Sequence, residues 1–321
     1  MTSSYGSGLI CGFRLATPEL LDEDAPGVAK SEPRWLHFNL SDSRGREWIK
    51  SQQDLPDEAQ EMLLDADLRV RVEVLPGAIV AVLGDLYHDF DHDPERLGTL
   101  RVYVDSKLLL SGRTHPLKTV DVLRRELLRT GDAQTPLAVF QLLIERLAES
   151  FGKVAVELGE EVDHREDRIL ARTYAGQGTP LGNLRRLVAK LRRVVSANRS
   201  ALLSLPAALP GLYGATERAE LRAAIDRLEA VGQDLELVQE RARLLQEEIA
   251  AGMSEATNRN LFVLSIATTT LLPITLITGI FGMNVRGLPF ADSPHGFWLV
   301  MLGIGATVLT ALKLLKRIGA L

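Results

Sequence analysis

Oxygen-bearing side chains are spaced along an uncharged stretch of 26 residues, from Asn260 to Val285. One stripe at helical spacing combines leucines with hydroxyls and reads Leu261, Leu264, Thr268, Leu272, Thr275 and Gly279. Along a pore, threonines can hydrogen-bond the waters around an ion, and rings of leucine can gate the pore by dewetting. The alternative is that Thr268 and Thr275 only bond back to carbonyls of their own helix.

The stretch closes with Gly282, Met283 and Asn284. The amide of Asn284 and adjacent backbone carbonyls are neutral oxygens, which can bond to the water shell of a divalent cation. Neutral oxygens bind weakly enough to release the ion, whereas a ring of carboxylates would hold a divalent cation much harder. Asn284 is therefore chemically suited to be a first filter at a pore entrance. The alternative is an asparagine that caps the end of a helix.

A second group of candidate metal ligands lies far upstream. Its members are Asp85, His88, Asp89 and His92. Two histidines four residues apart share one helix face, which is the spacing of some zinc sites. Pro94 and the flanking strand patterns instead favour a solvated acidic loop, and this is the interpretation we prefer. His37, between apolar neighbours on a strand, is interpreted as structural.

The stripe and the Gly282-Met283-Asn284 motif must be positioned by two apolar runs. Residues 260–285 are long enough to cross a bilayer, for which about 20 apolar residues suffice, and the alternative is a buried helix of a soluble protein. Residues 296–312 form the second run, which Lys313, Lys316 and Arg317 follow. Because positive charge favours the cytoplasmic side, we predict cytoplasmic N- and C-termini. The predicted transmembrane domain, 260–321, has spans at about 260–284 and 297–315 and an outer loop at 285–296.

Charge separates the sequence into two environments. Residues 1–259 hold 41 of the 42 acidic residues and 33 of the 37 Lys and Arg residues, whereas 260–321 hold one acidic residue against four basic ones. An acidic soluble part argues against a nucleic-acid partner, which needs a basic surface. We find no nucleophile–base pair, phosphate loop or dense ligand motif, so the sequence predicts neither an enzyme nor a cofactor.

The remaining patterns predict an α+β cytoplasmic domain, with a mixed sheet flanked by helices, over 1–182 and a helical funnel over 183–259. Strand patterns cover 9–15, 35–40, 68–75, 78–83, 99–104 and 107–110, and the alternation over 68–75 predicts one buried face. Helical patterns cover 43–53, 56–64, 119–130, 135–162 and 184–205. The basic helix 183–199 is expected to pair with the acidic funnel rather than with lipid headgroups. A further helix from about residue 216 continues without a break to Asn284, roughly 100 Å at 1.5 Å per residue.

Gly282-Met283-Asn284, placed behind this helix and between two terminal spans, resembles the signature of the CorA metal-ion transporters. Val285-Arg286-Gly287-Leu288-Pro289 and Trp35-Leu36-His37-Phe38-Asn39-Leu40 are similar to its ZntB branch. The resemblance implies a homopentamer in the bilayer of the bacterial inner membrane, with five first spans lining one pore. It implies import of zinc, and also of nickel or cadmium. Arg286 departs from the glycine usual in this branch, and the entrance role does not explain it.

The ZntB resemblance also implies coupling to protons. Because no carboxylate or histidine lies in either run, the titrating group must lie outside the spans. The titrating candidates are Asp292 and His295 in the outer loop and Glu247 and Glu248 in the stalk. Ser254 is a further candidate site residue of the funnel. Two alternatives stay open: a CorA-like magnesium or cobalt channel, and a membrane-anchored signalling or scaffold protein.

Overall fold

A computed structural model of the protein describes ten segments of the chain. These are residues 8–15, 19–20, 32–91, 93, 96–130, 134–171, 178–209, 214–283, 288–289 and 294–317. The chain separates into two compact units, Met1–Gln246 and Glu247–Leu321.

Within the described part of the first unit, seven strands build one mixed sheet. They are β1 Leu9–Arg14, β2 Glu19–Leu20, β3 Arg34–Asn39, β4 Arg71–Leu75, β5 Ala78–Leu86, β6 Leu97–Val104 and β7 Leu108–Arg113. The spatial order is β2-β1-β3-β7-β6-β5-β4. β3 and β7 pair in parallel and the other neighbours pair antiparallel. The predicted mixed sheet is confirmed.

β6 and β7 form a hairpin over Asp105 and Ser106. Asp105 Oδ1 accepts from the backbone N–H groups of Lys107 and Leu108, both at 2.7 Å. Tyr103 Oη donates to Asp105 Oδ2 at 2.9 Å. A short acidic side chain that bonds the backbone two and three residues ahead is the usual chemistry of such a turn.

β4 departs from the sequence expectation. Alternation over 68–75 predicted one buried face, but the strand covers only Arg71–Leu75, and Val74 and Leu68 are exposed. Among the described strands, β4 ends the sheet and pairs only with β5. The period of the pattern was therefore right and the expected burial was wrong, because the edge strand is covered less completely than the central ones.

The described helices are α1 Ser43–Ser51, α2 Asp57–Leu64, α3 Lys118–Thr130, α4 Pro136–Leu170, α5 Gly178–Leu202, α6 Leu205–Ala208, α7 Ala215–Phe281 and α8 Gly296–Arg317. Side chains of the preceding residue cap α1 and α4. Asp42 accepts from Arg44 N at 3.0 Å, and Thr135 accepts from Ala138 N at 3.2 Å ahead of Pro136. Such caps satisfy backbone donors that have no partner inside the helix.

α4 and α5 pack against the first half of α7 from two sides. α4 contributes Glu145, which pairs with Arg227 at 3.1 Å. α5 contributes Arg199, which pairs with Glu229 at 2.9 Å, and Arg192, which pairs with Glu236 at 3.1 Å. The expected pairing of the basic helix with acidic groups of the funnel helix is confirmed.

The second unit contains the end of α7 and all of α8. α7 is one helix of 67 residues with Pro273 inside it, about 100 Å long at 1.5 Å per residue. The predicted continuous helix is thereby confirmed. α7 and α8 are each long and apolar enough to cross a membrane, and none of the most apolar window of α7 is buried. Exposed leucines over such a length require a lipid or protein partner.

Candidate ion-conduction site

The predicted stripe of α7 lies on exposed positions of the second unit. Leu261, Leu264 and Leu272 are each more than half exposed. Thr268 and Thr275 are exposed at the positions between them, and so is Gly279. A row of exposed leucines broken by hydroxyls is unfavourable in water and suits a narrow path that ions cross with their waters. That the stripe lines a pore stays a prediction.

The hydroxyls of this stripe bond back to their own helix. Thr268 Oγ1 donates to the carbonyl of Leu264 at 2.9 Å, and Thr275 Oγ1 to those of Leu271 and Leu272 at 3.0 and 2.9 Å. Each hydroxyl thus commits its single proton and keeps its lone pairs as acceptors. Water bound to a cation presents its hydrogens outward, so an acceptor is what the hydrated ion needs. Back-bonding and pore lining are therefore compatible roles.

The helix ends at the predicted entrance motif. Gly282 N donates to the carbonyl of Thr278 at 2.8 Å, and Met283 N to that of Ile280 at 3.3 Å. A Cβ atom added at Gly282 would lie 2.9 Å from the carbonyl oxygen of Thr278, so a larger residue would disturb this end. Met283 is exposed. Asn284, which completes the motif, lies outside the described residues.

The structure describes some of the other candidate site residues of the second unit. His295 is exposed, and its carbonyl accepts from Leu299 N at 3.1 Å at the beginning of α8. Glu247 and Ser254 are exposed on α7. Arg286 and Asp292 lie outside the described residues.

The upstream ligand candidates have partners of their own. His88 Nδ1 lies 2.9 Å from Asp121 Oδ2, and Asp89 pairs with Arg96. His92 lies outside the described residues. Among the described residues no group of three or more His, Cys, Asp or Glu side chains could hold a metal ion. The described members of the cluster are thus engaged in contacts other than metal binding.

Asp85 belongs to a strand rather than to the acidic loop. It lies near the end of β5 and is fully buried. Its Oδ1 accepts from Thr119 Oγ1 and from Leu86 N, both at 2.7 Å, and its Oδ2 from Thr119 N at 3.3 Å. Burial raises the pKa of Asp85 to about 7, and the bonds from Thr119 oppose that rise. Asp85 thus serves as a cap for α3.

His37 is a satisfied structural histidine, as interpreted from the sequence. Arg113 Nε donates to its Nε2 at 3.1 Å, so the ring proton is on Nδ1 and is donated to Ser111 Oγ at 2.8 Å. Trp35 Nε1 donates to the same Oγ at 2.8 Å. Burial, followed by the charge of Arg113, holds the pKa of His37 well below its usual value. The ring has no nitrogen left for a metal.

The sequence interpretation missed a buried contact between α5 and β5. Asn198 is fully buried; its Oδ1 accepts from Gly84 N and its Nδ2 donates to the Gly84 carbonyl, both at 2.8 Å. β4 pairs with β5 only up to Val82, so the amide takes the place of a missing strand. The available signal was a polar residue in a row of apolar positions on α5.

The described parts of α7 and α8 are long and apolar enough to cross a membrane. Comparison with known proteins assigns the family. The family model described as "CorA-like Mg2+ transporter protein" matches residues 30–317, and the chain belongs to this family of divalent-cation transporters.

Relatives of similar length support this assignment. The chain is 29% identical over 276 residues to the "Divalent cation transporter CmaX" of Pseudomonas aeruginosa, a match that covers 85% of this chain and 83% of that one. It is 27% identical over 277 residues to the "Zinc transport protein ZntB" of Pectobacterium carotovorum, covering 86% and 84%. The family is one of transporters rather than enzymes.

Solved structures share the fold. The full-length CmaX protein matches with a TM-score of 0.84 and 27% identity, covering 98% of this chain and 99% of that one. The CorA magnesium transporter of Methanocaldococcus jannaschii matches with a TM-score of 0.79 and 18% identity, covering 99% of both chains. The predicted fold class and the predicted family resemblance are confirmed.

Proposed function

We propose that five copies of the chain form a pore in the bacterial inner membrane that carries divalent cations, zinc foremost, into the cytoplasm. The observation that carries this proposal is the exposed, uncharged end of α7, which leads into Gly282 and Met283. The names of the relatives, a divalent-cation transporter and zinc transport proteins, support the class of cargo.

The polar groups of the stripe support a hydrated ion as the species that passes. They are hydroxyls with free acceptor lone pairs at Thr268 and Thr275, and no acidic or histidine side chain occurs between residues 260 and 283. Carboxylates or imidazoles in direct contact would bind zinc tightly. Hydroxyls and the amide of Asn284 bind water molecules instead, so the ion is selected by hydration and released readily.

A magnesium channel is the second candidate function. The description of the matching family, which names Mg2+, favours it. Zinc and magnesium differ in how they lose water, because magnesium gives up its shell reluctantly. A path lined by neutral oxygens admits either ion in hydrated form, so the cargo must be decided by flux.

The test is zinc uptake into proteoliposomes that contain the purified full chain and a zinc-sensitive dye. We expect uptake along a zinc gradient, little inhibition by excess magnesium, and a lower rate for Asn284→Ala. The matched control is Asn258→Ala, which removes an exposed asparagine of α7 outside the predicted pore mouth. A second series with an imposed pH gradient tests proton coupling.

The outcomes separate the hypotheses. Strong inhibition of uptake by magnesium would support the magnesium channel. Flux that Asn284→Ala leaves unchanged would remove the entrance filter from the proposal. No flux of either ion would favour a membrane-anchored scaffold.

A further inference from the structure

β3 and β7 end side by side at one edge of the sheet. They are the parallel pair among the described strands, and Asn39 pairs in register with Arg113, each the last residue of its strand. In open sheets with parallel strands, ligands bind in the crevice beyond the carboxyl ends of two strands whose connections leave toward opposite faces. The faces that α1 and α3 occupy decide whether β3 and β7 form such a crevice.

α1 and α3, which follow the two strands, pack on opposite faces of the sheet. Phe38 of β3 stacks on Trp48 of α1, with the ring centroids 4.7 Å apart, and Phe38 shares a buried cluster with Val82 of β5. Asp85 of β5 instead accepts from Thr119 of α3. Because side chains alternate along a strand, Val82 and Asp85, three residues apart, lie on opposite faces. The ends of β3 and β7 therefore meet the geometric condition for a ligand crevice.

Arg113 lies at this edge with most of its hydrogen-bond donors unused. Its Nε donates to His37 Nε2 at 3.1 Å. A guanidinium has five N–H donors, and those on the terminal nitrogens of Arg113 have no hydrogen-bond or ion-pair partner in the part of the chain that the structure describes. Asn39 Oδ1 accepts from Ser41 N at 3.0 Å, so the amide nitrogen of Asn39 stays available as a donor. The edge therefore offers several donors to a ligand.

Arg124 of α3 adds a second guanidinium. Burial lowers the pKa of Arg113, and the charge of Arg124 adds to this effect whereas Asp121 opposes it. The Nε of Arg124 is buried without a hydrogen-bond partner, and its guanidinium forms no bond to any described residue. Two half-buried cations that repel each other are costly unless an anion pairs with them.

The neighbouring ionisable groups leave the two arginines with an excess of positive charge. Asp121 carries the one nearby negative charge, and its Oδ2 already lies 2.9 Å from His88 Nδ1. Cys11 is neutral, because burial raises the pKa of its thiol to about 12. His37 is neutral as well, because burial holds its pKa well below the usual value. One carboxylate thus faces two guanidinium groups.

An arginine elsewhere in the first unit shows the partners that this pair lacks. Arg146 lies between Glu126 and Glu149, at 2.7 and 2.5 Å. No described carboxylate forms an ion pair with Arg113 or with Arg124. A guanidinium binds an oxyanion through two parallel N–H···O bonds, so two of them are suited to hold a ligand with several anionic oxygens.

We infer that the crevice at the ends of β3 and β7 binds a phosphate group, held by the guanidinium groups of Arg113 and Arg124. The planar fork of arginine matches the oxygens of a phosphate, and the negative charge of the ligand compensates the two cations. The source of the group is either free phosphate or a small phosphate ester. The site stands whether or not the chain conducts zinc.

Chemical modification of the wild-type full chain in detergent tests the site without a variant. Phenylglyoxal reacts with guanidinium groups, and mass spectrometry of the digested chain reports the modification of each arginine. We expect inorganic phosphate to slow the modification of Arg113 and Arg124 saturably. Arg125, an exposed neighbour on α3, should react at an unchanged rate. Sodium chloride at the same ionic strength is the control for screening.

Calorimetric titration with inorganic phosphate measures the affinity. We expect Arg124→Gln to weaken binding by about tenfold or more, since hydrogen bonds between charged groups are among the strong ones. The matched control is Arg125→Gln, which removes the same charge from an exposed position of α3 and should keep the wild-type affinity. A parallel titration with AMP separates the two sources: tighter binding of AMP would identify a phosphate ester, and tighter binding of phosphate the free ion.

The two experiments can each overturn the site. Modification that phosphate and AMP leave unchanged, or that chloride slows equally, would show that no phosphate group occupies the crevice. An equal loss of affinity in Arg124→Gln and Arg125→Gln would attribute binding to net charge rather than to the crevice. If Arg124→Gln failed to fold, protection of the wild-type arginines would still decide the question.

Discussion

Two adjacent residues of β5, Gly84 and Asp85, make buried contacts with different helices. Gly84 is bound through its backbone by Asn198 of α5. Asp85 binds the hydroxyl and the backbone N–H of Thr119 in α3. Buried polar groups are costly unless they are bonded. At the residue scale, these contacts fix two helices to one point of the sheet.

Asp85 makes stability depend on pH in a predictable direction. Its ordinary pKa is 3.8, and burial raises the folded-state pKa to about 7. The folded protein therefore holds the proton more tightly than the unfolded chain, so this stabilisation is full below about pH 4 and is lost as pH rises through about 7. We expect Asp85→Asn to flatten the fall in thermal stability from pH 5 to pH 8.

Thermal unfolding of the full chain in detergent measures this effect. Asp89→Asn is the control, because it removes an exposed carboxylate a few residues away. If both variants kept the wild-type pH dependence, Asp85 would not be its source.

Gly84 is required by a close approach of α5. A Cβ atom added there would lie 2.4 Å from Val194 Cγ1. We expect Gly84→Ala to lower the free energy of unfolding by about 1–3 kcal/mol through overpacking. In a Val194→Ala background the added methyl has room, so the same change should cost less. Chemical denaturation of the four proteins of this cycle measures the difference, and a strictly additive result would argue against the clash.

At the element scale, α7 joins a helix that packs in the first unit to an exposed apolar segment in the second. Its continuity could be predicted, because apolar residues recur at threes and fours and no glycine pair or loop interrupts them. Pro273 leaves it intact. Such a proline is tolerated where neighbouring groups can satisfy the freed carbonyl.

The threonines of α7 provide a test of the pore-lining prediction. Thr268→Val and Thr275→Val keep side-chain shape and remove the acceptor oxygens. We expect helix content to stay unchanged and zinc flux to fall several-fold, because an ion's waters lose their partners. Thr307→Val is the control, since Thr307 also bonds back to its own helix, at 2.8 Å to the Gly303 carbonyl. Equal flux in all variants would show that the hydroxyls serve only the helix.

Most elements could be predicted from the sequence because their patterns are local. The strand that contains Asp85 could not be predicted in full. Gly84 and Asp85 interrupt its apolar run, and their partners Asn198 and Thr119 are distant in sequence. The burial of β4 was overestimated because the alternation of apolar and polar residues in a strand does not reveal whether the strand lies at the edge of the sheet. For the candidate site, residue types and their spacing predicted the exposed stripe of leucines and threonines on α7. The arrangement of several copies around a pore cannot be predicted in this way, because the sequence pattern describes a single chain.

At the scale of the whole molecule, the charge distribution predicts how the chain is oriented. Lys313, Lys316 and Arg317 follow the second apolar helix, and this favours a cytoplasmic location for that end. The first unit would then lie on the same side, since two spans return the chain to where it began. The loop that carries Asp292 would face outward.

Cysteine labelling in intact cells tests this orientation. Cys11 gives little background, because burial raises the pKa of its thiol to about 12. We expect an impermeant maleimide to label Asp292→Cys from outside and to label Ser254→Cys only after the membrane is opened. The reverse pattern would place the first unit outside the cell and contradict the proposed direction of import.

β4, at the end of the sheet, matters for the newly made chain before it reaches a bilayer. A free sheet edge can recruit a strand from another polypeptide and begin aggregation, and charged side chains on a short edge strand hinder this. β4 has five residues, and Arg71 within it is held by Asp65 and Asp67 at 3.2 and 3.1 Å. We therefore expect insoluble material in overexpressing cells to form through the apolar helices, and lipid or detergent supplied during synthesis to be sufficient to keep the chain soluble.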